Sequence, residues 1–324
     1  MSRRTRPPEQ PIETRFPDLL PLQRVAVRLH PRRVTAPLPP SASKIGGRIL
    51  WPDDEPWPVC TEREYAVERV AEANGAFMID NITGTSYGMT WIGPEDQRHT
   101  GVYLPVMQLR RDDVPELPFP DDSDLFQIVW CSRLHEADFQ PRIRLYWRRE
   151  RDITHPRASF PRPIAVTSDD ATVDMMSADY LVPLYECAVA PERIPEYPSL
   201  TELDHMKVIS DDVSEDLWDT QNRGELGTAH GGTKVGGWPV WNQEPVEFTC
   251  LRGHAMRYLL SFEASEPIEE LILSPDEQEV WQHLEAREET AYREPTGMNF
   301  GRSGFLYVFG CSQCPDHPAR SDSQ

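Results

Sequence analysis

Between Ser43 and Trp51 the chain reads SKIGGRILW, and 190 positions later (233 − 43) it reads TKVGGWPVW from Thr233 to Trp241. The same shift carries Cys60 onto Cys250, nine residues past the tryptophan in both places. Further on, Leu125 to Ser132 (LFQIVWCS) answers Phe305 to Ser312 (FLYVFGCS), with the cysteines now 180 apart (311 − 131). Ordered landmarks that recur with one loop shortened point to duplication and fusion of a single unit. A length of 324 residues fits two such units, since domains run to roughly 100–200 residues each.

What kind of unit follows from proline. Thirty-two prolines forbid long helices and uninterrupted central strands, so short strands joined by ordered loops are expected. Arg24 to Leu29 alternates apolar and polar residues, and Val102 to Leu109, Leu125 to Trp130 and Ile143 to Trp147 read as further strands. Ala66 to Ala73 and Ser210 to Thr220 suggest short helices. The strongest helix signal starts at Ser274, where SPDE supplies proline at the first helical position and Glu277 for a capping box, and it runs to about Glu289. The expected class is α+β: β-rich, a tandem duplication of one mostly antiparallel unit with few short helices. Residues 1–14 read as a disordered arm and 15–190 as the first unit with an extension. Residues 191–223 read as a proline-rich linker with a short helix, 224–318 as the second unit, and 319–324 as a disordered tail.

The charge balance of 33 basic against 53 acidic residues, a net −20, repels nucleic acid and anionic membranes and steers a basic protein toward the surface. No apolar run approaches the roughly 20 residues a membrane helix needs, and the basic start MSRRTRPPEQP lacks the apolar stretch of a signal peptide. A cytoplasmic location is expected. In that compartment six cysteines are thiols or metal ligands rather than disulfides.

Cys250 and His254 have three residues between them, and Cys311 and Cys314 form a CxxC after the apolar run Leu306 to Phe309. Two short chelating pairs of this kind supply a tetrahedral Cys3His set for a structural zinc ion, in the manner of a zinc ribbon. His317 is the alternative to His254 as fourth ligand. In the first unit Cys60 and Cys131 persist and His135 follows, but TERE after Cys60 offers no second thiol or imidazole. Loss of the metal there is expected, with both cysteines packed as small hydrophobes. Cys187 is expected to be buried without a partner.

Each Lys-x-Gly-Gly motif, Lys44 with Gly46 and Gly47 and Lys234 with Gly236 and Gly237, reads as a sharp turn before the anchoring Trp51 or Trp241. Gly227 to Lys234 (GTAHGGTK) has threonine and lysine in the wrong order for a phosphate loop. Trp57 and Trp238, beside the turns, are candidate anchors for a protein partner. The scattered histidines and loop-bound acidic pairs form no catalytic set.

SKIGGRILWPDDEPWPVC, LPVMQLRRDDVPELPFPDDSDLFQIVWCS and GFLYVFGCSQC together resemble the YwqG-like family of bacterial domains of unknown function. The second unit, with GGWPVW, Cys250, MRYLLSF, LYVFGC and Cys314, also resembles the eukaryotic programmed cell death protein 2 family. It departs from that family's CxxCG, with Gly253 and His254 where the second cysteine would stand. The resemblance implies an α+β fold of duplicated β-rich units, no established enzymatic activity and, for the eukaryotic branch, a chaperone role for a basic ribosomal protein. The function expected is a non-catalytic protein-binding module that holds a basic client. A toxin-neutralising immunity or stress protein and a zinc-dependent enzyme are the alternatives.

Overall fold

The computed structural model describes residues 3–8, 11–70, 78–79, 86–96, 101–131, 133, 135, 140–162, 182–209, 216–218, 228–284, 286–300, 304–314 and 316–324. In chain order its strands are β1 (Arg4–Thr5), β2 (Arg24–Arg28), β3 (Arg32–Arg33), β4 (Lys44–Ile45), β5 (Glu64–Val70), β6 (Met78–Ile79), β7 (Ser86–Ile92), β8 (Tyr103–Arg110) and β9 (Leu125–Cys131). They continue with β10 (Arg142–Arg148), β11 (Cys187–Ala188), β12 (Glu192–Glu196), β13 (Lys234–Gly236), β14 (Arg257–Glu263), β15 (Leu271–Ile272), β16 (Phe305–Gly310) and β17 (Ala319–Ser323). Two six-stranded sheets dominate, one ordered β3-β11-β4-β8-β9-β10 and the other β12-β2-β13-β14-β16-β17. Every pairing among the described residues is antiparallel. The protein is sheet-rich with few short helices, as its prolines require.

The two sheets are wired alike and share strands reciprocally. In the first, Cys187 pairs with Ile45 on one side and Arg33 on the other. In the second, Val27 pairs with Val235 on one side and Arg193 on the other. Residues 24–33 thus pass from the second sheet to the first, and residues 187–196 pass back.

One core lies between the sheets. On β9 the side chains of Phe126, Ile128 and Trp130 enter it, and on β16 so do those of Leu306 and Val308. Trp130 meets Phe262 of β14 with ring centroids 5.2 Å apart. The alternate residues face outward into two satellite clusters under long loops: Val129 and Cys131 with Ile49, Trp51, Cys60 and Tyr103, and Tyr307 and Phe309 with Cys250, Cys311 and Cys314. A strand apolar on both faces needs cover on both, and this is why LFQIVWC is buried at every position.

Several expectations are corrected. The arm is not disordered where it is described: β1 pairs with β15, Arg3 is 3 % exposed and its Nε donates to Glu277 Oε1 at 3.0 Å, and Ile12 is buried in a helix spanning Ile12–Arg15. The tail is likewise ordered, because β17 supplies the edge of the second sheet. Within the expected linker, residues 192–196 form an edge strand that tolerates Pro195, followed by the helix Leu200–Met206 with Ser199 as its cap. Ala66 onward is strand β5 as far as Val70, paired with β7, and residues 71–73 lie outside the described ones. Of the expected helix at 210–220, residues 216–218 are helical and the rest lies outside the described residues. The Ser274 capping box is present, yet the helix ends at Trp281 and a second, Ala286–Arg293, folds back so that Tyr292 and Arg293 pack on the Trp281 ring. Both Ala26 and Val27 of β2 are fully buried, so that strand has no solvent face along its second half.

Candidate metal centre

Two turns and a strand end bring Cys250, His254, Cys311 and Cys314 together. Cys250 and His254 stand on a tight turn closed by Cys250 N–H to His254 O at 2.9 Å and Gly253 N–H to Cys250 O at 2.8 Å. That turn passes through Gly253 at φ +80°, a conformation glycine adopts without a Cβ penalty. Cys311 follows β16 directly, and the turn after it is fixed by Cys311 N–H to Pro318 O and His317 N–H to Cys314 O, both 3.0 Å.

The distances are those of a metal tetrahedron. Zinc bonds of about 2.3 Å to sulfur and about 2.0–2.1 Å to nitrogen place neighbouring sulfurs about 3.8 Å apart, and sulfur and nitrogen about 3.6 Å apart. Cys250 Sγ lies 3.7 Å from Cys314 Sγ, and His254 Nδ1 lies 3.3 Å from Cys314 Sγ and 3.7 Å from Cys311 Sγ. All four donor atoms fall within 4.8 Å of one another. A disulfide would need about 2.05 Å, and all four side chains are buried or half-buried. Burial pushes the Cys250 thiol up, but the His254 and Arg252 backbone N–H groups outweigh it and hold it down at about 7. Burial, then the Cys311 and Cys250 sulfurs, push Cys314 up to about 11. His317 stands apart: its Nδ1 faces Cys311 O at 3.3 Å and its ring meets Trp147.

A second group, Cys60, Cys131 and His135, is also within 4.8 Å throughout and wholly buried. Both cysteines are packed in a buried apolar cluster, as expected, and an imidazole stands beside them, with Nε2 at 3.1 Å from Cys60 Sγ. The hydrogen bond with Cys131 draws the Cys60 thiol down to about 4 against its burial, with His135 assisting, while the same pairing and burial push Cys131 up. Cys187 is buried, as expected, with its Sγ 3.2 Å from Pro295 O.

Both Lys-x-Gly-Gly turns enclose a carboxylate. Lys44 Nζ donates to Glu186 Oε1 at 3.0 Å and to Pro39 O at 3.1 Å. Lys234 Nζ donates to both oxygens of Glu196 at 2.8 and 2.9 Å, with both side chains 0 % exposed. A Cβ on Gly47 would stand 2.4 Å from the Glu186 carboxylate carbon, and one on Gly237 2.2 Å from Glu196 Oε2. All four glycines, Gly46, Gly47, Gly236 and Gly237, have φ between +66° and +70°. The motif is therefore a device for burying an ion pair beneath a left-handed turn. Trp51 is wholly buried, and Trp241 packs on Tyr307 at 4.7 Å. Residues 228–234 meet acids, with Thr233 N–H on Glu266 at 2.9 Å, and so do not form an anion cradle.

Of the two candidate partner anchors, Trp238 is corrected by its burial, and Trp57 is half-buried. The Trp238 side chain is 3 % exposed, its Nε1–H donates to Leu22 O at 2.8 Å and Arg24 lies on its ring. Trp57 donates to Tyr103 O at 2.7 Å and packs between Trp51 and Phe160. Sequence reading missed Glu186 and Glu196; a buried lysine requires an acid, but no spacing rule points to its position. Among the described residues no helix is long and apolar enough to cross a membrane. No protein-family model matches the chain, and no curated protein matches it.

Proposed function

We propose that this chain is a non-catalytic protein-binding module, stabilised by a structural zinc ion at Cys250, His254, Cys311 and Cys314, that holds a basic client protein in the manner of a chaperone. The observation that carries this reading is the completeness of the donor set. Three thiols and one imidazole at tetrahedral spacing leave no position for a reacting water. The client's chemistry follows from the net charge of −20, which attracts a basic surface over about a Debye length of 8 Å at physiological salt.

The same proposal includes duplication of one ancestral unit. It is supported by the reciprocal pairing of Cys187 with Arg33 and of Val27 with Arg193, an exchange of like contacts resembling an isologous dimer interface. Corresponding outer clusters around Cys60 and Cys250 support it further. Kinship with the YwqG-like family, and a reducing cytoplasmic setting, belong to the proposal as well.

The test is affinity capture from cell extract at about 0.15 M salt, compared with a variant in which exposed acids are neutralised. A basic protein recovered by the wild type and lost by the variant is the expected result. Failure to recover any basic partner overturns the reading.

A further inference from the structure

The first satellite cluster holds more than buried thiols. Cys60, Cys131 and His135 are 5 %, 0 % and 0 % exposed, and their three donor atoms converge within 4.8 Å. We propose that these residues bind a second zinc ion, distinct from the one at Cys250, in a site to which the described residues contribute three ligands rather than four.

The imidazole is set for ligation. His135 Nδ1 faces the Gln140 carbonyl oxygen at 3.1 Å, so the ring proton belongs on Nδ1 and the lone pair on Nε2, which faces Cys60 Sγ at 3.1 Å. A backbone carbonyl that fixes the far nitrogen is the usual support behind a metal-bound histidine. Without a metal the Cys60 thiol is the partner of that lone pair, in a cluster that Ile49, Trp51, Tyr103 and Val129 otherwise close with apolar and aromatic groups.

Backbone N–H groups face both sulfurs, as they face Cys250 in the four-donor set. The Glu62 backbone N–H points at Cys60 Sγ and the Arg133 N–H at Cys131 Sγ, as the Arg252 and His254 N–H groups point at Cys250 Sγ. Two thiols and an imidazole select a borderline-soft divalent ion and reject magnesium and calcium, which prefer oxygen. Glu62, the nearest acid in sequence after Cys60, is turned outward to Arg142 at 2.5 Å and is not the fourth ligand. Held by three of these donors against four, this ion exchanges faster than the other.

The experiment is zinc content per chain on protein purified under reducing conditions, together with release of bound metal to a chromogenic chelator. Two zinc ions per chain are expected in the wild type, one in Cys131→Ala, one in His135→Ala and one in Cys311→Ser, with the three-ligand ion released first. Should Cys131→Ala or His135→Ala fail to fold, the wild type still decides, because two release phases of equal amplitude are expected and a single phase overturns the proposal. A wild type with one zinc that Cys311→Ser loses overturns the second site alone. A Cys60–Cys131 disulfide found by mass after alkylation without reduction overturns it too. No zinc in any form refutes both sites.

Discussion

Replacing Glu196 by glutamine removes one charge from the most enclosed ion pair in the protein. Its carboxylate accepts two bonds from Lys234 Nζ and the backbone N–H groups of His230 at 2.9 Å and Trp238 at 3.0 Å. Glutamine keeps one acceptor oxygen and turns an NH2 toward donors. It also leaves an ammonium at 0 % exposure without a counter-charge. Breaking a buried pair in this way costs about 3–5 kcal/mol. Unfolding entropy of about 2.1 cal/mol/K per residue over 324 residues gives about 0.7 kcal/mol/K, so Tm falls by about 4–7 °C. Thermal and urea unfolding measure it, the latter with an unchanged m-value. Burial lowers the Lys234 pKa, so the variant's deficit shrinks as pH rises toward the ordinary lysine value of about 10.4, where the neutral amine is tolerated. The double variant Glu196→Leu with Lys234→Met recovers wild-type stability or exceeds it. A single variant within about 1 °C of wild type, or a double variant no better than the single, refutes the argument that this pair is dry.

Cys311→Ser is expected to abolish metal binding at the four-donor set and to melt the cluster of Tyr307, Phe309 and Trp241, followed by tryptophan fluorescence; metal loss without any change there would disprove a structural role. Gly237→Ala forces a Cβ to 2.2 Å from Glu196 Oε2 at φ +67°, whereas Gly253→Ala meets nothing within 4 Å; the first is expected to lose several kcal/mol and the second about 1 kcal/mol from backbone strain, measured by urea unfolding. Burial lowers His30 to about 4, so the unfolded chain takes up a proton near pH 6.5 that the folded protein refuses. Stability therefore falls as pH drops from about 6.5 to 4, and His30→Gln flattens that slope. Burial, then the neighbouring Glu266, raise Glu263 to about 8. The folded state keeps a proton that the unfolded chain releases near pH 4.5, so this group's contribution is lost as pH rises from about 4.5 to 8, and Glu263→Gln removes the loss.

Much of the framework was legible because it is written in local pattern. The strands β8, β9, β10 and β16 fall on the runs that apolar content and proline spacing mark out. The Ser274 box is a four-residue interaction, and the donors Cys250, His254, Cys311 and Cys314 sit on two short turns whose spacing shows in the sequence. Polar strands were hidden. ARSDS becomes β17 only because β16 offers it an unpaired edge, and the arm is held through Arg3 and Glu277, 274 residues apart. The helix expected from Ala66 gave way to the ladder with β7, because β-propensity depends on the neighbour a strand finds.

By itself, then, the sequence determined the class of the fold, the places of its chief strands, the turn chemistry of both Gly-Gly steps and a four-donor set with zinc spacing. Only the tertiary structure decided which acid neutralises each buried lysine, that Trp238 is buried, and that Cys60, Cys131 and His135 converge. The physical reason is the same in each case. A hydrogen bond or ion pair across the core depends on which surfaces meet when two sheets close on one another, and no residue's neighbours in the chain carry that information.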